Sequence, residues 1–269
     1  TSPEVIAALK SNTIARDPTT EKIYLETLQA LTGSTHVAVV MTKEAEEQSL
    51  LTDITDVDEK VQNRALLQLQ RKDKVSAAFV PGLVKNLSSR DTLNVWYACE
   101  ALTKTGEAGK PAIEPLKALI TLNDLLSKQS RYCINALVAI APSDKGVLTF
   151  LNDIMMNKKS YSSQEDAAMA LAKSGEHGLP YLMKVLASDD SSLIYIVTAA
   201  LTQTTGDATK AVPVLLELLH HPQKLEDRRP ADGSRTVDNI LAAIAHIVPN
   251  SEELKQAQQI VDSMSSPTR

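Results

Sequence analysis

Apolar residues recur along the chain at helical spacing, and one short pair of them recurs at a nearly fixed interval. An Ala-Leu pair, replaced once by Ile-Leu, returns after 35, 36, 35, 34, 30 and 40 residues. The pairs are Ala30-Leu31, Ala65-Leu66, Ala101-Leu102, Ala136-Leu137, Ala170-Leu171, Ala200-Leu201 and Ile240-Leu241. A fixed period of this length is typical of a repeat architecture. We call these pairs the anchors and the helices that carry them the A helices.

A second apolar register follows the anchors at its own similar period. It consists of triplets at i, i+3 and i+7, the spacing of one helix face. The triplets are Val80/Leu83/Leu87, Ile113/Leu116/Ile120, Val147/Phe150/Ile154, Leu179/Leu182/Leu186, Val212/Leu215/Leu219 and Leu254/Ala257/Val261. They predict a second helix, the B helix, in each unit of about 34 residues. One such hairpin cannot bury its own apolar faces, so neighbouring units must stack.

Helix ends are marked by residues with known positional preferences. Prolines Pro81, Pro115, Pro180 and Pro213 fall in the predicted first turns of B helices, where a missing N–H costs nothing. Glycines Gly33, Gly106, Gly175 and Gly206 follow A helices and suit the left-handed residue that closes a helix. Ser163, with Asp166 three residues on, and Ser251 are predicted helix starts.

These registers predict an all-α protein, a right-handed α-solenoid of stacked antiparallel helix hairpins. We expect one domain over residues 1–269, with irregular N-terminal units in 1–55 and regular repeats in 56–222. Within the first part, Thr42 to Leu51 lacks a clean apolar triplet and is expected to be an irregular or terminal helix. A polar insertion loop occupies 223–235, and a C-terminal unit occupies 236–264.

The stretch ALAKSGEHGLPYLMKVLASDDSSLIYIVTAAL, from Ala170 to Leu201, resembles the HEAT-like repeat of the phycobilisome-lyase type, which is common in bacterial proteins. The resemblance lies in the Ala-Leu pair, the Gly-ended turn, the Pro-x-Leu that opens helix B and the acidic link before the next A helix. It extends with varying fidelity over residues 20 to 262. It implies the solenoid fold, whereas the function it implies is open, because such repeats serve scaffolds, adaptors and a few enzymes.

Composition supports the helical interpretation and narrows the class of partner. Aromatic residues make up 3% of the chain and apolar residues 43%, so the core must consist mostly of Leu, Ala, Ile and Val. The net charge of −5, without a basic stripe, argues against nucleic acid as a partner.

No apolar run approaches the length of a membrane span, so we expect a soluble chain with no membrane insertion. Because the sequence opens at Thr1 without a leader, we expect a processed or truncated product. For its localisation, the cytoplasm is slightly favoured, and export followed by removal of a leader stays open.

Few residues in the sequence could take part in catalysis or metal binding, and each of them has a structural explanation. His220 and His221 are expected to end a B helix, and no His-Glu dyad of the di-iron type occurs. Cys99 and Cys133 lie shortly before anchors, so we expect inert core thiols. Trp96 is expected to pack inside an A helix. The sequence therefore predicts no catalytic, cofactor-binding or metal-ligating residue and favours a protein that is not an enzyme.

With no catalytic or metal site predicted, the remaining possibility is that the chain binds a partner on its surface. The leading hypothesis is a protein–protein interaction scaffold that binds a protein or peptide on a concave B-helix surface. The row five positions after each triplet start, together with the arginines of the insertion loop, supplies the candidates. The predicted partner-binding residues are Lys85, Asn152, Lys184, Glu217, Arg228, Arg229 and Arg235. Two alternatives stay open. The chain could assist attachment of a cofactor or chromophore, as phycobilin lyases do, or it could be an enzyme whose site the sequence does not reveal.

Overall fold

The computed structural model describes residues 43–122, 128–158, 160–225 and 236–265, and all regular structure in these ranges is helical. They contain thirteen α-helices and five short 3-10 segments, and no β-strand. The prediction of an all-α protein is confirmed to this extent. The first anchor, Ala30-Leu31, and Gly33 lie outside the described residues.

The α-helices follow one another with short links. Their bounds are α1 Lys43–Asp53, α2 Glu59–Gln70, α3 Val80–Asn86, α4 Thr92–Leu102, α5 Ile113–Leu122, α6 Lys128–Ile140, α7 Lys145–Met156, α8 Tyr161–Lys173, α9 Leu179–Leu186, α10 Ser191–Leu201, α11 Val212–Leu219, α12 Thr236–Ile247 and α13 Glu252–Ser265. The 3-10 segments are Ala77–Phe79, Gly106–Ala112, Gly175–His177, Thr209–Ala211 and Pro222–Lys224. None of these helices is both long and apolar enough to cross a membrane.

The chain divides into two compact units, Thr1–Gln68 and Leu69–Arg269. In the described part of the first unit, the segment expected to be an irregular or terminal helix forms helix α1. The anchor of α2, Ala65-Leu66, is buried there as predicted.

In the second unit the A helices form a continuous row. Helix α4 packs on α6, α6 on α8, α8 on α10, and α10 on α12. The B helices α3, α5, α7, α9 and α11 each pack on the A helix that follows them, and α13 packs on α12. The sequence registers therefore correspond to two kinds of helix with different surroundings: A helices contact A helices, and B helices pack beside them.

Burial of the anchors explains the close approach of the A helices. Both members of the four anchors from Ala101-Leu102 to Ala200-Leu201 are buried, with at most 1% of their surface exposed. A small residue at such a place lets neighbouring backbones come near, and the leucine beside it fills the remaining space. The last anchor departs from the prediction, because Leu241 is half-buried. There Ile240, Ala243 and Ile244 form the buried face of α12.

The B-helix triplets are buried with three exceptions. All three members are buried in α3, α9 and α11. In the other described triplets one member is half-buried, namely Ile113, Phe150 and Leu254. The predicted B-helix face is thus the face that packs.

Most predicted helix ends are confirmed. Gly106, Gly175 and Gly206 have φ of 57°, 58° and 72°, a region that favours glycine. Ser251 accepts the N–H of Leu254 at 3.1 Å, immediately before α13. Ser163 as a helix start was wrong. Its own N–H donates to the hydroxyl of Ser160 at 3.3 Å, so α8 begins one turn earlier than predicted.

Candidate partner-binding site

A cavity of about 350 Å³ lies between the first turns of the B helices α7 and α9. We call it the α7–α9 cavity. Its walls combine apolar side chains with cationic and hydroxyl groups. The lining residues are Ser143, Lys145, Leu148, His177, Pro180, Tyr181 and Lys184.

The start of α7 forms one wall. Asp144 caps the helix, with its carboxylate accepting the N–H of Val147 at 2.9 Å. This cap fixes Lys145 as the first helical residue, at the rim of the cavity. Leu148, one turn further along, is 4% exposed and gives the wall an apolar part. A polar rim and an apolar wall therefore come from one helical turn.

The start of α9 forms the other wall, and a close approach to α8 holds it in place. A Cβ at Gly178 would overlap the backbone carbonyl of Leu171, so only glycine fits where α9 begins beside α8. Pro180 occupies the first turn of α9, as predicted from the sequence. Tyr181 extends from the same turn, and its hydroxyl lies 3.4 Å from Oγ1 of Thr149 on α7. That contact joins the two walls.

The cavity is locally basic although the chain is acidic overall. Lys145 and Lys184 are both exposed, and neither forms an ion pair with a described carboxylate. Nζ of Lys184 lies 5.9 Å from the centre of the Tyr181 ring, a cation–π arrangement that leaves its charge facing solvent. His177 is half-exposed, 3.9 Å from its neighbour Glu176. Within the described part of the chain, the cavity thus presents two lysines that are not paired with a carboxylate.

The α7–α9 cavity contains only one of the four residues predicted from the B-helix row. Lys184 lines it. Lys85 and Glu217 are exposed on α3 and α11, and Asn152 is half-buried on α7. The carboxylate of Glu217 accepts a hydrogen bond from His221, with Oε1 of Glu217 2.9 Å from Nε2 of His221. Arg228, Arg229 and Arg235 lie outside the described residues.

Sequence reasoning missed Lys145, His177 and Tyr181. It followed one position per B helix, whereas the cavity forms between the first turns of two helices. A signal was present in the sequence, because Tyr181 and Lys184 stand at i and i+3 on α9. Their convergence with Lys145 depends on the spacing of α7 and α9, which the pattern does not specify.

His246 and the residues expected to be structural, namely Trp96, Cys99 and Cys133, all make contacts within the fold. Nε2 of His246 lies 2.8 Å from the carbonyl of Thr204 and links α12 to the end of α10. The Trp96 ring stacks on Tyr97 and contacts Tyr132. Cys99 and Cys133 are fully buried and in contact with each other. Among the described residues, no three His, Cys, Asp or Glu side chains are grouped so that they could hold a metal ion.

Comparison with protein-family models and with curated protein sequences gives no match. The chain is similar to two engineered proteins whose crystal structures are known. The first is 20% identical, with 83% of this chain and 97% of the other aligned and a TM-score of 0.43. The second is 17% identical, with 84% and 99% aligned and a TM-score of 0.41. Neither likeness assigns a fold family or a function.

Proposed function

We propose that this chain is a non-catalytic protein-binding scaffold of the HEAT-like repeat class, a right-handed α-solenoid that binds a segment of a partner protein on the outer side of its B helices. The observation that carries this proposal is the α7–α9 cavity, with its two lysines and its apolar wall. The concave placement expected from the sequence is a further prediction of the same proposal.

The arrangement of helices supports the repeat part of the proposal. A helices contact A helices from α4 to α12, while each B helix packs beside them with one apolar face. Helix α10 is buried over most of its length, which is typical of a structural element and leaves binding to the B helices. Stacking of similar units would present equivalent B-helix positions side by side, a surface suited to an extended or helical segment.

The chemistry of the cavity supports a particular kind of partner. Leu148, Pro180 and the Tyr181 ring offer contact area to one apolar side chain. Lys145 and Lys184 flank that area and would attract carboxylates on either side of it. We therefore expect the bound segment to carry an apolar residue between acidic ones.

A peptide selection tests this proposal. The immobilised full chain is panned against a library of random displayed peptides, and the enriched peptides are synthesised and titrated by fluorescence anisotropy. We expect enriched sequences with acidic residues around an apolar one. Reversal of both lysines, Lys145→Glu with Lys184→Glu, should weaken their binding by about tenfold or more, since attraction becomes repulsion.

The matched control is Lys72→Glu with Lys74→Glu, which makes the same charge change at two exposed lysines that do not line the cavity. The control should change the affinity by less than about threefold. If the cavity variant binds as tightly as the parent, the α7–α9 cavity is not the site. If reversal of Arg228, Arg229 and Arg235 abolishes binding instead, the partner binds the insertion loop.

A further inference from the structure

Two cysteine side chains lie in direct contact where successive A helices pack. Sγ of Cys99 on α4 and Sγ of Cys133 on α6 are 3.2 Å apart. Both residues are 0% exposed, and the two helices pack along each other in the second unit. The two sulfurs belong to different repeats but occupy one small space in the core.

We propose that Cys99 and Cys133 are a site of oxidative cross-linking, where a disulfide joins α4 covalently to α6. A disulfide requires the sulfurs to approach to about 2.05 Å. From their present separation, each sulfur has to move by less than about 1 Å, which small side-chain rotations supply. Contact distance between the sulfurs, across two packed helices, is the observation on which this inference rests.

The cross-link would form by exchange with a low-molecular-weight disulfide such as glutathione disulfide. The thiolate of one cysteine attacks a glutathione sulfur, forms a mixed disulfide and releases one glutathione thiolate. The second cysteine, once deprotonated, attacks the protein sulfur of that mixed disulfide and releases the second glutathione. Two protein S–H bonds and the glutathione S–S bond break, and the protein S–S bond and two glutathione S–H bonds form. Glutathione disulfide is reduced, accepting two electrons and two protons.

The buried environment makes this reaction slow and, once complete, persistent. Contact with Cys133, followed by burial, raises the pKa of the Cys99 thiol well above its ordinary value, so its thiolate is scarce at neutral pH. The first attack therefore needs a local separation of α4 and α6. The sequence predicted inert core thiols because each cysteine was assessed by itself. In the structure, the second thiol lies in contact with the first and can complete the exchange.

Intact-mass measurement on the full chain tests the proposal. The folded protein is incubated with glutathione disulfide at mildly alkaline pH, then denatured in N-ethylmaleimide. We expect a monomer lighter than the reduced chain by two hydrogen atoms, without maleimide or glutathione. Its Tm should exceed that of the reduced protein by about 5–10 °C, because the cross-link constrains the unfolded chain, and dithiothreitol should reverse this rise.

The variants Cys99→Ala and Cys133→Ala are the controls, each checked for helical content by circular dichroism. Each should keep one maleimide-reactive thiol or carry one glutathione, and neither should gain thermal stability on oxidation. The proposal is overturned if the folded parent keeps two reactive thiols, carries glutathione, or cross-links between chains. It is also overturned if the internal disulfide forms only in denaturant.

Discussion

At the scale of the residue, the ion pair between Arg131 on α6 and Asp166 on α8 makes an A-helix contact dependent on pH. Nε of Arg131 lies 2.7 Å from Oδ1 of Asp166, whose side chain is 8% exposed. Burial raises the pKa of Asp166 above its ordinary value, and Arg131 offsets part of that effect. The ionised carboxylate therefore costs stability at neutral pH, and this cost disappears as the pH falls through the raised pKa.

Replacement of Arg131 by Met should remove the charge and keep much of the aliphatic packing. We expect the free energy of unfolding to fall by about 1–2 kcal/mol at pH 7, because the buried carboxylate loses its charged partner. The loss should shrink as the pH is lowered from 7 into the acidic range, because Asp166, whose pKa is raised by burial, takes up a proton and no longer needs a charged partner. Urea unfolding across this range measures it. A loss that does not change with pH would mean that packing, and not charge, stabilises this contact.

Single residues also show how far the sequence determines the site. Lys184 follows from the helical register, since its position on the outer side of α9 is set by the buried triplet of the same helix. Lys145 and Tyr181 do not follow, because they meet across a gap between two B helices whose separation depends on packing. The start of α8 is a similar case: the sequence predicted Ser163 as the cap, whereas the backbone geometry makes Ser160 the cap.

At the scale of the element, the links that follow α8 and α10 place two different demands on glycine. Gly178 has an ordinary negative φ of −84°, but a Cβ there would overlap the Leu171 carbonyl. Gly206 has φ of +72° and open space around it. The first glycine is required by close approach of two helices, and the second only by backbone conformation.

These demands predict different losses of stability. Gly178→Ala should lower the free energy of unfolding by about 2–4 kcal/mol, because α9 must move away from α8. Gly206→Ala should lower it by about 1–2 kcal/mol, the cost of a left-handed backbone for alanine. Chemical denaturation of both variants measures the difference. Equal losses would show that α9 does not depend on its contact with α8 at Gly178.

Helix type and order were predictable from the sequence because anchors and triplets recur at nearly constant intervals, and the structure buries nearly all of the described ones. The last A helix was predicted less well. Its anchor follows the longest gap in the series, and α12 buries Ile240, Ala243 and Ile244 while Leu241 is half-buried. Repetition predicts well where each unit has similar neighbours on both sides and less well where a neighbour is irregular.

At the scale of the whole molecule, periodicity predicted stacking but not the division into Thr1–Gln68 and Leu69–Arg269. The boundary falls inside the sequence of α2, where no composition change or turn residue marks it. A sequence period describes how each helix pair resembles the next pair. It carries no information about where the chain divides into compact units.

The central claim is that a partner segment binds between B helices while the A helices serve as their support. Amide hydrogen exchange followed by mass spectrometry tests it most directly, on the full chain with and without the tightest peptide from the selection. We predict slower exchange in the first turns of α7 and α9, near Lys145 and Tyr181, with little change in the buried helix α10. Protection confined to A helices, or no protection at α7 and α9 under saturating peptide, would contradict the account.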